Sequence, residues 1–188
     1  MSESFYAIAI IIVVVCVGLL MWLISMYKKV SQGQVLVRTG QGGVKIFFNA
    51  GMVIPILHKE EIMDISVKKL DISRMGKDGL ICKDNLRADI KVAFFVRVNK
   101  SVQDIINVAQ TIGCARASDH ETLENLFEAK FSEALKTVGK KFQFIELYEA
   151  RREFRDEIIN IIGTDLNGYV LDDCAIDYLE QTKIENLD

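Results

Sequence analysis

The chain opens with an apolar run that begins at Phe5 and closes at Met26, twenty-two positions without a charge, a proline or an asparagine. As an α-helix that run reaches about 33 Å, against roughly 30 Å for a bilayer's hydrocarbon core. Ile11, Val14 and Leu19 fall in its middle, and no side chain there needs water. A helix satisfies its own backbone groups, which is what lipid requires. The pattern therefore predicts a membrane anchor. Trp22 and Tyr27 suit an interfacial aromatic belt, and Lys28 and Lys29 follow directly. A cleaved leader would carry its basic residues first and end on small residues; here the flank is Met1-Ser2-Glu3-Ser4 and the basic pair comes after. Basic residues stay on the cytoplasmic side, so a single pass with the N-terminus outside is expected.

Beyond the anchor the period of the pattern shortens to two. Residues 34–38 and 44–48 read as short strands around Thr39-Gly40-Gln41-Gly42-Gly43, a turn in which glycine supplies positive φ. Residues 60–72 read as one longer extended segment. Residues 86–98 alternate strictly, apolar at even positions, with Arg87, Asp89, Lys91 and Arg97 on the other face. Such alternation predicts a strand with one face on a core. The period then lengthens to that of a helix. Residues 101–112 carry Val102, Ile105, Ile106 and Ala109 on one side, with Gly113 beyond. Ser118-Asp119-His120-Glu121 fits a capping box, and the helix it opens repeats Leu123, Phe127, Phe131, Leu135 and Val138 to Gly139. A third helix is expected over 147–167, stopped by Gly168, and a last strand over 169–178. Strands first and helices after imply an α+β domain.

Composition narrows the function classes. The 188 residues carry 23 Lys+Arg against 26 Asp+Glu, a net charge of −3 with both signs interspersed. That argues against a nucleic-acid surface. Cys16, Cys82, Cys114 and Cys174 show no paired spacing, so neither a disulfide framework nor a zinc site is indicated. No cofactor or metal is expected.

Chemistry-bearing residues are sparse. His58, His120 and Cys114 have no sequence neighbours that make a triad or a ligand cluster. The stretch Gly40-Gln41-Gly42-Gly43-Val44-Lys45 looks like a phosphate loop but leads into a strand rather than a helix N-terminus, so a hairpin is the better reading. Asp165, Asp172 and Asp173 lack the spacing of a calcium loop. Two surfaces stand out instead. Phe47, Phe48, Ile54 and Ile56 lie in an apolar stretch soon after the anchor; it reads as core strands, or as a segment dipping into the membrane interface. The alternating charges of Arg151, Arg152, Glu153, Arg155 and Glu157 read as a solvated helix face, or as an electrostatic seam between copies.

The order of these elements, with "VSQGQVLVRTGQGG", "GGVKIFFNAGMVIPILHKEEIMDISVKKLDIS" and "DGLICKDNLRADIKVAFFVRVN", resembles the stomatin/prohibitin/flotillin (SPFH, or band 7) superfamily, most closely its bacterial flotillin-like inner-membrane branch. The resemblance covers the chain from Val30 to about Tyr178. It implies an anchor over 1–29, an SPFH domain over 30–180 with an antiparallel-rich sheet and packed helices, and at 181–188 the start of a coiled coil that the chain lacks. It also implies a non-enzymatic scaffold: partnered by the lipid bilayer, self-associated into a ring or cage, organising membrane microdomains, and open to membrane-protein partners. The alternative is an adaptor that regulates one membrane protease or transporter as a small complex.

Overall fold

The computed structural model describes residues 2–163 and 166–183. It divides the chain into two compact units, residues 1–62 and 63–188.

The first unit begins with α1 (Ser2–Ser25), 24 residues long. Side chains are described for Tyr6 and from Ile10 onward, and every one from Ile10 to Ser25 is exposed. Among the described residues no helix is long and apolar enough to cross a membrane. The expected single pass is thus not established by the structure. The helix passes without a linker into β1 (Tyr27–Lys29), which pairs antiparallel with β4 (Ala50–Met52). Met26 at the junction is 4% exposed, and its carbonyl accepts the Val53 N–H at 3.0 Å. A second, three-stranded sheet has the order β3–β2–β5, from β2 (Gln34–Gly40), β3 (Lys45–Phe47) and β5 (His58–Asp64). The β2–β3 hairpin is the one the glycine-rich turn predicts. Gly40 has φ +141°, and a Cβ there would lie 2.3 Å from the Leu57 carbonyl oxygen, so only glycine fits.

The second unit is the α+β fold proper. Its centre is β8 (Arg87–Val98), the alternating strand, buried at Ala88, Ile90, Val92, Phe94, Val96 and Val98. One side of β8 pairs antiparallel with β6 (Lys68–Arg74) and the two-residue β7 (Leu80–Ile81). The other side pairs along its length with β9 (Tyr169–Gln181), whose register shifts twice. Asp172 and Asp177 are the residues left over at those shifts. The polar face carries ion pairs that cross the strands: Lys69 reaches Asp71 and Asp177, Asp71 reaches Lys91, and Arg97 reaches Asp172. On the apolar face lie α2 (Val102–Thr111), α3 (Cys114–Ser118), α4 (His120–Gly139), α5 (Glu146–Glu149) and α6 (Arg151–Ile162). Phe131 of α4 stacks on Phe94 of β8 at 4.4 Å between centroids, and Phe127 stacks on Phe131 at 5.5 Å. Each such ring contributes about 1.5–3 kcal/mol by burial, and geometry of this kind adds ~0.5–1.5 kcal/mol per pair.

Four expectations are corrected. Residues 60–72 form two strands, because the Asp64 carboxylate accepts the Ser66 N–H at 2.9 Å and turns the chain between β5 and β6. The cap of α4 is Asp119, which accepts the Thr122 N–H at 2.8 Å. Ser118 is occupied elsewhere: its hydroxyl donates to the Cys114 carbonyl at 2.7 Å and accepts the Asp64 N–H at 3.0 Å. The helix expected over 147–167 is two, broken at Ala150 (φ −107°, ψ 44°), and the second ends at Gly163 with φ 73°. Gly168 serves the turn into β9 instead, where Val108 and Asp104 crowd its missing Cβ.

Candidate membrane-facing and assembly surfaces

The first unit gathers apolar side chains that its own packing does not cover. Tyr27 and Met52 are directly opposed in the β1–β4 ribbon and are 54% and 53% exposed. Ile56, in the turn between β4 and β5, is 89% exposed, and Leu57 and Phe48 are partly exposed. That turn is held in shape: the Ile54 N–H donates to His58 Nδ1 at 3.3 Å, and the Ile54 carbonyl accepts the His58 N–H at 2.9 Å. The sequence's interface candidates thus divide. Phe48 and Ile56 face outward. Phe47 is half-buried, seated on the open side of Gly51 with the Arg38 guanidinium 5.1 Å from its ring centroid. Ile54 is half-buried too. Basic groups adjoin this surface, since Lys28 pairs with Glu60 at 3.2 Å while Lys29 is exposed.

Of the anchor candidates, Ile11, Val14, Leu19 and Trp22 lie exposed along α1, with Tyr27, Lys28 and Lys29 on β1. Met26 is the exception, buried at the junction. The side chain of Phe5 lies outside the described set.

In the second unit the charged run occupies the start of α6. Arg151 and Arg152 are its first two residues, and Ala150 provides no side-chain cap. Cations at a helix N-terminus oppose the macrodipole, at about 0.3–1 kcal/mol each. Among the described residues no i,i+4 ion pair joins these charges. Arg151 lies over the Tyr148 ring, Arg155 reaches Asp156 at 3.0 Å and Asp173 at 3.9 Å, and Glu157 pairs with Lys141. The Lys141 ammonium holds the Glu157 carboxyl below the usual glutamate range. Arg152 and Glu153 are exposed and form no ion pair among the described residues.

The residues that could have signalled catalysis are structural where they are placed. His58 shapes the β4–β5 turn, and His120 is the first residue of α4. Cys82, Cys114 and Cys174 are buried, and burial pushes the Cys174 thiol up to about 12. The glycine-rich stretch is a hairpin. Among the described residues no group of three or more His, Cys, Asp or Glu side chains could hold a metal. Asp172 and Asp173 face Arg97 and Arg155, and Asp165 lies outside the described residues. Sequence reading set Tyr27 at the interface but missed that it is opposed by Met52, whose exposure was signalled only by its place in the apolar stretch.

This chain belongs to the SPFH domain / Band 7 family, which matches residues 28–180. Two relatives carry family names. The chain is 37% identical over 180 residues to the flotillin family inner membrane protein YqiK of Escherichia coli (strain K12), covering 93% of this chain and 32% of that protein. It is 25% identical over 187 residues to the flotillin family inner membrane protein sll1021 of Synechocystis sp., covering 95% of this chain and 28% of that protein. The chain therefore spans about a third of the length of these relatives.

Proposed function

We propose that this chain is a non-catalytic, membrane-anchored scaffold subunit that self-associates into a ring or cage and organises the surrounding bilayer. The observation that carries the reading is α1, apolar on every described side and exposed on every described side from Ile10 to Ile24. A helix of that kind has no partner face for a core and is stable where lipid is its solvent. In this reading α1 is a single pass from Phe5 to Met26, with the N-terminus outside and the second unit cytoplasmic. The names of both relatives, inner membrane proteins of the flotillin family, support the location. Tyr27, Phe48, Met52, Ile56 and Leu57 then rest at the interface beside Lys28 and Lys29, where apolar insertion and attraction to anionic lipid reinforce each other. Membrane proteins held within the enclosed patch are the partners this arrangement serves.

Alkaline extraction tests the anchor. The chain stays in the membrane fraction, whereas Val14→Arg with Val15→Arg is released, since each central arginine costs about 2.5–3.5 kcal/mol. Retention of the double variant refutes the span. The mass of the detergent-extracted particle tests assembly. A discrete particle of many subunits supports the scaffold, and a monomer leaves the small adaptor as the surviving reading.

A further inference from the structure

We infer that copies of the second unit associate head to tail through two charged faces at opposite edges of its sheet: Arg151, Arg152 and Arg155 of one copy against Glu121, Glu124 and Glu128 of the next. This rests on the self-association reading above and supplies the contact that it lacks.

The two faces lie where a heterologous contact needs them. The helix α6 packs on β9, at one edge of the sheet, while α4 packs on β6 and β7 at the other, and the two helices meet each other between those edges. The arginines line a shallow cleft of about 240 Å³ with Asp173, Cys174 and Ile176 of β9. Their placement breaks a local rule. The first two positions of a helix favour anions, yet both carry arginine, with no side-chain cap and a single acidic residue, Glu153, in the first turn. Local rules broken without local compensation mark positions kept for another purpose. Asp156 and Asp173 occupy Arg155, and Tyr148 lies under Arg151, but Arg152 has no ion pair among the described residues.

The acidic face is the counterpart in sign. Glu121, Glu124 and Glu128 sit on one flank of α4 and span about 10 Å at 1.5 Å per residue; the arginines span about 6 Å on α6. None of the three glutamates forms an ion pair among the described residues. Asp119 adds a fourth negative charge at the same end, and the nearby cation, Lys68, is paired to Asp64. Glu121 also favours the start of its own helix, but Glu128, two turns in, has no such local role. A contact between unlike faces leaves the pair with one of each still open, so the addition repeats and closes if the rotation allows.

The test is reciprocal charge reversal in the full chain, read as the mass of the detergent-extracted particle. Arg151→Glu with Arg152→Glu and Arg155→Glu breaks the particle to small species, and so does Glu121→Arg with Glu124→Arg and Glu128→Arg. Combining all six restores it, because each seam is then remade with signs exchanged. Restoration also shows that the triple variants had folded. A large wild-type particle unchanged by either triple variant, or disruption that the six-fold variant does not repair, overturns this inference and leaves self-association standing. A monomeric wild type overturns both.

Discussion

Replacing Gly139 with alanine sets helix propensity against packing, and the structure decides which prevails. Gly139 is the last residue of α4 and is buried. By propensity alone, alanine in a helix gains up to about 1 kcal/mol over glycine. The added Cβ, however, would lie 2.5 Å from Leu80 Cγ and 2.7 and 2.8 Å from its two methyl carbons. Carbon atoms prefer ~3.5–4.0 Å, so the overlap is close to 1 Å. Leu80 has no room to yield: it is 0% exposed, is paired to the equally buried Ala88, and follows Gly79, which is itself crowded by the Ala88 carbonyl. Overpacking of this kind costs about 1–3 kcal/mol, and the helix gain at a terminal residue offsets a fraction of it. We therefore expect Gly139→Ala to destabilise the unit by about 1–2 kcal/mol, read as a lower thermal midpoint in detergent. Leu80→Ala should be less costly in the Gly139→Ala background than in the wild type, a positive coupling in a double-mutant cycle. An unchanged or raised midpoint for Gly139→Ala, or strict additivity in the cycle, would refute the packing argument.

Three further outcomes follow. The Thr122 hydroxyl and N–H bonded to Asp119 lower its pKa below the ordinary 3.8; a carboxyl depressed on folding stabilises above its unfolded value and loses that contribution as pH falls through the lower folded one. Asp119→Ala should thus be less stable than the wild type at neutral pH, with the gap closing below about pH 3.8; a gap independent of pH would contradict the cap. Burial, with Asp84 nearby, raises the Cys82 thiol to about 11, and burial, with Asp173 nearby, raises Cys174 to about 12, so neither should react with iodoacetamide at pH 8 until the chain is unfolded; label mapped by peptide mass to Cys82 or Cys174, rather than to the exposed Cys16, in the folded protein would refute it. Ile56→Trp in a Trp22→Phe background should be quenched by brominated lipid in reconstituted bilayers, since burying an isoleucine-sized side chain is worth about 1.5–3 kcal/mol, and a water-exposed emission would remove the turn from the interface.

The fold was legible where pattern and burial coincide. In β8 alternation and core contact are one fact, and the stripe on α4 from Leu123 to Val138 is the stripe that packs. It was illegible where a side chain, rather than a glycine or proline, redirects the backbone. Asp64 turns the chain between β5 and β6 with its carboxylate, in a stretch that holds neither glycine nor proline. Ala150 breaks the third helix with no breaker residue at all. The five-residue α3 is too short to show a period. At the surface, charge signs identify the Arg151–Arg155 stretch, but that α6 covers β9 while α4 covers β6 and β7 becomes visible only in the fold.

The two aspartates left over along β9 carry a consequence of another kind. A strand of thirteen residues at the margin of a sheet is an open template for an incoming strand. At Asp172 and Asp177 the strand bends and places an unpaired acidic residue, so no straight stretch longer than a few residues is offered to an incoming strand. Growth by strand addition, which leads to fibres, is thereby discouraged.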